Sequence, residues 1–477
     1  MNIKELLIFF ISLTFVSSTL SSDVTQLPST LEYKLDLRID YNTKKLYGSC
    51  EMTIANETDQ AIEDIPILLY RLLSVKNVKN ENNIPLHFTQ NVTSIIDWEQ
   101  IQVNFIEISL NKILSPGEQI KIKLEYEGYL FGYSGEGWRY VKDHIDKNFT
   151  LVRTDGFGYP TIGHPSERDM MKIAQEHYDY AIDITVPNEM YVVTGGKLID
   201  QKTTDDKTTY IFHSKKPSWR IDIAISDYQI CEKGENKVYY FAPDSLGARK
   251  VMDAMQASFE LYTSWFGPLD KYQGFSVIEV PEGYGSQQDI TAIILSADNF
   301  IESKEMLAIY HEIAHSWNVT NLDVQPCRFE TEGFAQFMQF LASEKLENKK
   351  NAVSEAAQRF LDRVRNAFIE KKEYQAIPIK DYGVNDMTEY SYTLGMVVFA
   401  IFYDLVGQDH FNKIIGSFYS SHYSKGTTLD EFINHCKRLA PVNVAGFFDD
   451  WIYTTRGIKL VVEGKTYNDL IHYYMDN

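Results

Sequence analysis

Two histidines four residues apart, with a glutamate directly after the first, form the densest group of chemically capable side chains in the sequence: His311-Glu312-Ile313-Ala314-His315. On a helix, residues i and i+4 share one face, with Cβ atoms about 5–6 Å apart, so both imidazoles can converge on one cation. Zinc takes imidazole nitrogen at about 2.0–2.1 Å, and a catalytic zinc site uses three protein ligands and leaves a fourth position open. Glu312 is then placed to serve as general base toward water. Leu307, Ile309, Ile313 and Ala314 supply the apolar flanks that bury such a helix. The bland alternative is a buried helix with two satisfied core histidines. With only 11 His in the chain, that spacing seldom arises by chance.

A third ligand is available downstream. Seventeen residues past His315 stands Glu332, in Glu332-Gly333-Phe334-Ala335. Phe334, Phe337, Met338 and Leu341 recur at helical spacing, and Thr331 is of a type that caps helices. A carboxylate on the first turn of a second, antiparallel helix would close the site. Glu330 is the rival acid; placed before the cap, it is expected to face solvent. The residues alone therefore give a ligand set of His311, His315 and Glu332 around one Zn2+ per chain, with Glu312 catalytic.

The elements that must position these side chains change character near residue 230. Residues 31–41 alternate without error, Leu31, Tyr33, Leu35, Leu37, Ile39 and Tyr41 against charges, as a half-buried antiparallel strand does. The same period recurs over 101–110, 120–126 and 178–186, which predicts an N-terminal antiparallel β-sandwich domain over 23–230. From 231 to 477 the period lengthens. Helices are expected over 245–266, 306–317, 331–347, 354–371, 391–405 and 428–439, with short strands over 275–280 and 290–295. The 290–295 strand is expected to be the one that pairs with an extended peptide. No internal repeat or low-complexity linker separates the halves.

Bulk properties narrow the partners. The chain has 477 residues, 66 acidic against 46 basic, for a net charge of -20; with no basic run, nucleic acid is not an expected partner. Lys4 precedes an apolar run over 6–16 and then Ser17, Ser18, Thr19, Ser21 and Ser22. That three-part layout is a signal peptide over 1–22, implying a secreted or extracytoplasmic protein, with membrane attachment only as an uncleaved anchor. Cys50, Cys231, Cys327 and Cys436 are too dispersed for a zinc knuckle. Glycosylation sequons begin at Asn56, Asn91, Asn148 and Asn318.

With the motif, the downstream glutamate and the alternating N-terminal strands together, the chain resembles the M1 family of zinc metallopeptidases, gluzincin aminopeptidases, in a short form without a C-terminal helical domain. Phe447-Phe448-Asp449-Asp450-Trp451 resembles the close of that family's thermolysin-like catalytic domain. The spacer from His315 to Glu332 is two residues shorter than the family's. Trp317-Asn318-Val319 also resembles the M61 glycyl-aminopeptidases. The resemblance implies peptide-bond hydrolysis of aminopeptidase type, and a tyrosine that stabilises the tetrahedral intermediate. Tyr392, in Tyr392-Thr393-Leu394-Gly395, takes that role, with Tyr390 and Tyr382 as rivals; Leu394 stands where the family has lysine. The family's amine-binding segment corresponds to Gly285-Ser286-Gln287-Gln288-Asp289. This assigns substrate binding to Gly285, Gln288 and Asp289, with Gln288 where the family has glutamate. A negative site for the substrate amine could instead come from Glu282, Asp289 or Asp155. Endo- or dipeptidase specificity, a non-peptide hydrolase and a non-catalytic binding homologue are the alternatives.

Overall fold

The computed structural model describes residues 27–476 apart from 97, 135–137, 174–175, 271, 290, 324–325 and 384–386. The signal segment expected over 1–22 lies outside the described residues. Strand Ser29–Asp40 buries Tyr33, Leu35, Leu37 and Ile39 and turns Lys34, Asp36 and Arg38 to solvent, as its alternation requires. It is a central strand of a seven-stranded sheet, pairing antiparallel with Lys45–Ala55 and parallel with Asp179–Pro187. A four-stranded sheet built on Ile62–Tyr70 and Trp98–Leu114 packs over the same apolar core. The N-terminal region is thus the expected sandwich, antiparallel except for that one pairing. A third, three-stranded sheet of Tyr191–Thr194, Asp222–Ser226 and Thr150–Arg153 faces the rest of the chain.

The second region opens with a mixed sheet of five strands, where sequence periodicity predicts only two. The order is Gln229–Lys233, Asn236–Tyr240, Ser276–Val280, Ala292–Ser296 and Gln287–Gln288. Helix Ser245–Phe266 and the helices after residue 306 bury a large aromatic core beside it. The expected role of 290–295 as the edge strand is corrected. Ala292–Ser296 is interior, paired on both sides, and the described edge is the two-residue strand Gln287–Gln288. The chain doubles back between them because the Asp289 carboxylate accepts from the backbone N–H groups of Thr291 and Ala292, at 2.5 and 2.6 Å, an Asx-type closure.

The two regions share a core of their own. Phe149, Leu151, Val193, Ala224 and Tyr228 pack against Ile278, Val280, Tyr284, Ala292 and Ile294. Arg153, fully buried, pins this seam: it donates to the Tyr284 carbonyl at 3.2 Å, the Tyr140 carbonyl at 2.7 Å and Asp143 at 3.0 Å. All four cysteines are free thiols.

Candidate active site

Helix Leu307–Ala314 carries His311 and Glu312, and His315 opens the 3-10 turn that follows. Ile309, Tyr310, Ile313 and Ala314 are buried, which fixes the helix rotation and aims the histidines into the cleft between domains. Antiparallel to it runs Phe334–Leu346, with Phe334, Ala335, Phe337, Met338 and Leu341 buried. The Tyr262 hydroxyl donates toward two carbonyls, Tyr310 at 3.1 Å and Met338 at 3.3 Å, and so ties both helices to Ser245–Phe266.

The three expected ligands come together. His311 Nε2 and His315 Nε2 are 3.2 Å apart, and each is 3.3 Å from Glu332 Oε2. Tetrahedral ligands about 2.05 Å from a cation lie about 3.3 Å from one another, so this triangle has the dimensions of three zinc ligands. Among the described residues it is the only such group of three or more metal-capable side chains. Burial pushes the Glu332 carboxyl upward, but the two imidazoles outweigh it and hold the group well below the usual carboxylate range. Glu332 is thus anionic, as a ligand must be.

With Nε2 turned to the cation position, the proton of His315 sits on Nδ1. The Asn318 side-chain amide lies 2.6 Å from that nitrogen, and its Oδ1 is otherwise buried without a partner. Presenting the oxygen to Nδ1–H satisfies both groups; amide orientation follows from such networks. Asn318 therefore serves the histidine, although it opens a glycosylation sequon. Asn56, which opens another, is likewise committed, donating to the Gln60 and Leu114 carbonyls.

The segment leading to Glu332 departs from the sequence reading. Phe329–Gly333 is a single π-helical turn, with both Glu332 N–H and Gly333 N–H directed to the Arg328 carbonyl. Thr331 does not cap the helix; its hydroxyl donates to that same carbonyl. Glu330 is not exposed but buried, with one oxygen accepting from the Asn321 amide and the other unpartnered. Burial raises it to about 8. Residues two apart on a helical turn point to opposite sides, so when Glu332 faces the histidines, Glu330 faces the interior behind them.

Glu312 lies outside the three-atom cluster, and burial pushes its carboxyl up to about 7. Of the three candidate tyrosines, Tyr392 is the one whose phenol meets the cluster. Burial and then the neighbouring Glu332 charge keep it protonated, and Arg328 Nη1 donates to its oxygen at 3.4 Å. Tyr390 packs instead on Phe368 and Tyr374, and Tyr382 is fully buried.

On the opposite wall, Gln288 donates to Ser316 Oγ at 2.9 Å, beside His315. Gly285, with φ +78, passes close to the Tyr140 side chain. Asp289 is occupied in closing its own turn. Of the three acids considered for an amine site, Glu282 is exposed on its loop, whereas Asp155 belongs to a buried network. The Asp155 carboxylate accepts from Gln287 at 2.6 Å, from Arg220 at 3.3 Å and from the Tyr140 hydroxyl at 3.4 Å. Burial opposes its charge, but Arg220 and Arg153 keep Asp155 below the usual range. Sequence reasoning missed Arg220, Gln287, Asn318 and Arg328. Only Arg328, four residues before Glu332, carried a spacing signal.

Residues 292–451 match the peptidase family M1 domain. The chain is similar to an M1 zinc metallopeptidase from Deinococcus radiodurans, whose mutant was solved with a Tyr-Ser-Ala substrate. The two share 16% identity and a TM-score of 0.65, covering 92% of this chain and 95% of that one. The same enzyme without the mutation gives 16% identity and a TM-score of 0.64, covering 92% and 94%. A two-domain M1 zinc metallopeptidase mutant bound to L-tryptophan gives 16% identity and 0.63, covering 92% and 95%. Among curated proteins no sequence matches. The shared architecture is that of two-domain M1 metallopeptidases.

Proposed function

We propose that this chain, whose residues 292–451 form a peptidase family M1 domain, is a zinc-dependent peptidase that removes residues from the amino end of short peptides. The observation that carries the reading is the triangle of His311, His315 and Glu332, with 3.2–3.3 Å sides that fit one tetrahedral zinc. When bound there, zinc supplies a Lewis acid that acidifies water and polarises a carbonyl.

The chain's own residues do the rest. Glu312, buried and raised to about 7, takes the proton of the attacking water and passes it to the leaving amine nitrogen. Tyr392 stays protonated beside the cluster and donates its O–H to the oxygen on which charge develops. Asp155, ionised and 16% exposed, offers the substrate ammonium the negative partner that Gln288 cannot. Gln287–Gln288 offers an edge for an extended substrate. The apolar run over 6–16, read as part of a signal peptide over 1–22, supports action outside the cytoplasm.

Digestion of a mixed peptide library tests this. Zinc-loaded protein should release amino-terminal residues, chelated protein should release none, and zinc should restore the activity. Matched peptides with acetylated amino ends should be cleaved more slowly, and Asp155→Asn should narrow that difference. Cleavage that survives complete removal of metal contradicts the reading.

A further inference from the structure

We propose that Arg328 is a specificity residue that grips the free α-carboxylate of the residue after the scissile bond, making dipeptides the preferred substrates. The inference rests on the peptidase reading above.

The guanidinium of Arg328 has five N–H donors. Among the described residues its guanidinium has one hydrogen-bond partner, the Tyr392 hydroxyl at 3.4 Å, and one ion-pair partner, Glu332 Oε1 at 3.9 Å. The second is beyond hydrogen-bond reach, and that carboxylate turns its other oxygen to the histidines. The Arg328 side chain is 40% exposed, against 18% for Glu332, so the fork stands at the mouth of the site.

The other arginines near the cleft are fully buried and tied to protein partners. Arg220 gives Nε and Nη2 to Asp222, at 2.5 and 2.9 Å, and Nη2 also to Asp155 and Gln287. Arg153 donates to Asp143 and two carbonyls. Arg328 thus borders the cluster with most of its donors open.

Geometry says what those donors meet. When Tyr392 donates to the oxygen of the scissile carbonyl, the guanidinium lies one hydrogen-bond length further on. In a dipeptide the carboxylate carbon is two bonds past the scissile nitrogen, about 2.5 Å away. A longer peptide presents a neutral carbonyl at that place, and a dipeptide presents an anion. Planar guanidinium–carboxylate pairs are the stronger, bidentate kind. Tyr140, which donates to Asp155, also lies within reach of the Arg328 charge. The cleft therefore sets a negative group on one side and a positive one on the other, the charge pattern of a zwitterionic dipeptide reversed.

The test uses the full zinc-loaded chain and a non-hydrolysable ketomethylene dipeptide analogue, made with a free carboxyl or a carboxamide. Native protein should bind the acid at least about tenfold more tightly than the amide, since a charged pair replaces a neutral one. Arg328→Gln should bring the two together by weakening the acid alone, and Arg328→Lys should restore part of the preference. Zinc content and thermal unfolding of each variant report the fold. In turnover of the matching dipeptide and its amide, the loss should fall on KM of the acid. A native acid-to-amide ratio near one overturns the proposal, and so does a loss in Arg328→Gln shared equally by acid and amide through kcat. Tight, Arg328-dependent acid binding without any hydrolysis would sink the peptidase reading and leave the carboxylate site standing.

Discussion

Neighbouring side chains at the site divide the chemical labour between them. Glu312 is buried and Glu332 partly buried near the same imidazoles, yet burial raises Glu312 to about 7 while the histidines hold Glu332 ionised. One carboxyl is suited to carry a proton and the other to hold a cation. Glu312→Gln should therefore keep zinc and fold but lose about 10²–10⁴-fold in rate; loss of the metal instead would make Glu312 a ligand. Tyr392→Phe should lower kcat by about 10²–10³-fold with little change in KM, the pattern of an interaction made in the transition state. An effect confined to KM contradicts it. His311, His315, Glu312 and Glu332 were legible because helical spacing is a local property. Glu330 was not: a π turn that sends Glu332 and Glu330 to opposite sides leaves no periodicity to read. Arg220, Gln287 and Asp155 meet only through tertiary contact, which one sequence does not disclose.

At the scale of elements, two glycines explain why the ligand and the tyrosine stand together. A Cβ built on Gly333 would lie 2.7 Å from Gly395 Cα, and one built on Gly395 would lie 2.8 Å from Gly333 Cα. Helix Thr388–Val406 therefore crosses the turn that carries Glu332 with backbone against backbone, and Tyr392, one turn before Gly395, falls beside Glu332. Gly395→Ala should part the two helices, at a cost of about 1–3 kcal/mol for overpacking, and weaken zinc binding as well. Thermal unfolding and zinc titration of that variant check both effects; unchanged affinity would mean the crossing does not set the site. Helices such as Ser245–Phe266 were read to the residue because their apolar stripes are long. The two-residue edge Gln287–Gln288 is too short to show a period, so the interior strand was mistaken for the edge.

For the whole molecule, a domain seam supports the site, and one buried acid on a strand that borders it makes stability depend on pH. Glu279 sits on the central strand Ser276–Val280, fully buried. One oxygen accepts from Phe241 N–H and the other has no partner. Burial, then the charge of Asp244, raises it from 4.5 to about 8. The folded state binds this proton more tightly than the unfolded chain, so the contribution is full below about 4.5 and is lost as pH rises through about 8. Glu279→Gln, which keeps the acceptor for Phe241, should raise the unfolding temperature relative to native protein at pH 9 more than at pH 5. An equal difference at both pH values contradicts the assignment. The sandwich and the helical half were both legible from period. The seam between them was not, because its residues are drawn from strands far apart in the chain. The proposed function stands or falls on one zinc held by His311, His315 and Glu332. Calorimetric titration of the metal-free chain with zinc tests it most directly: native protein should take up one zinc per chain, and Glu332→Ala should lose that tight site while remaining folded. If the native chain takes up no zinc, or Glu332→Ala holds one as tightly as native, the account is wrong.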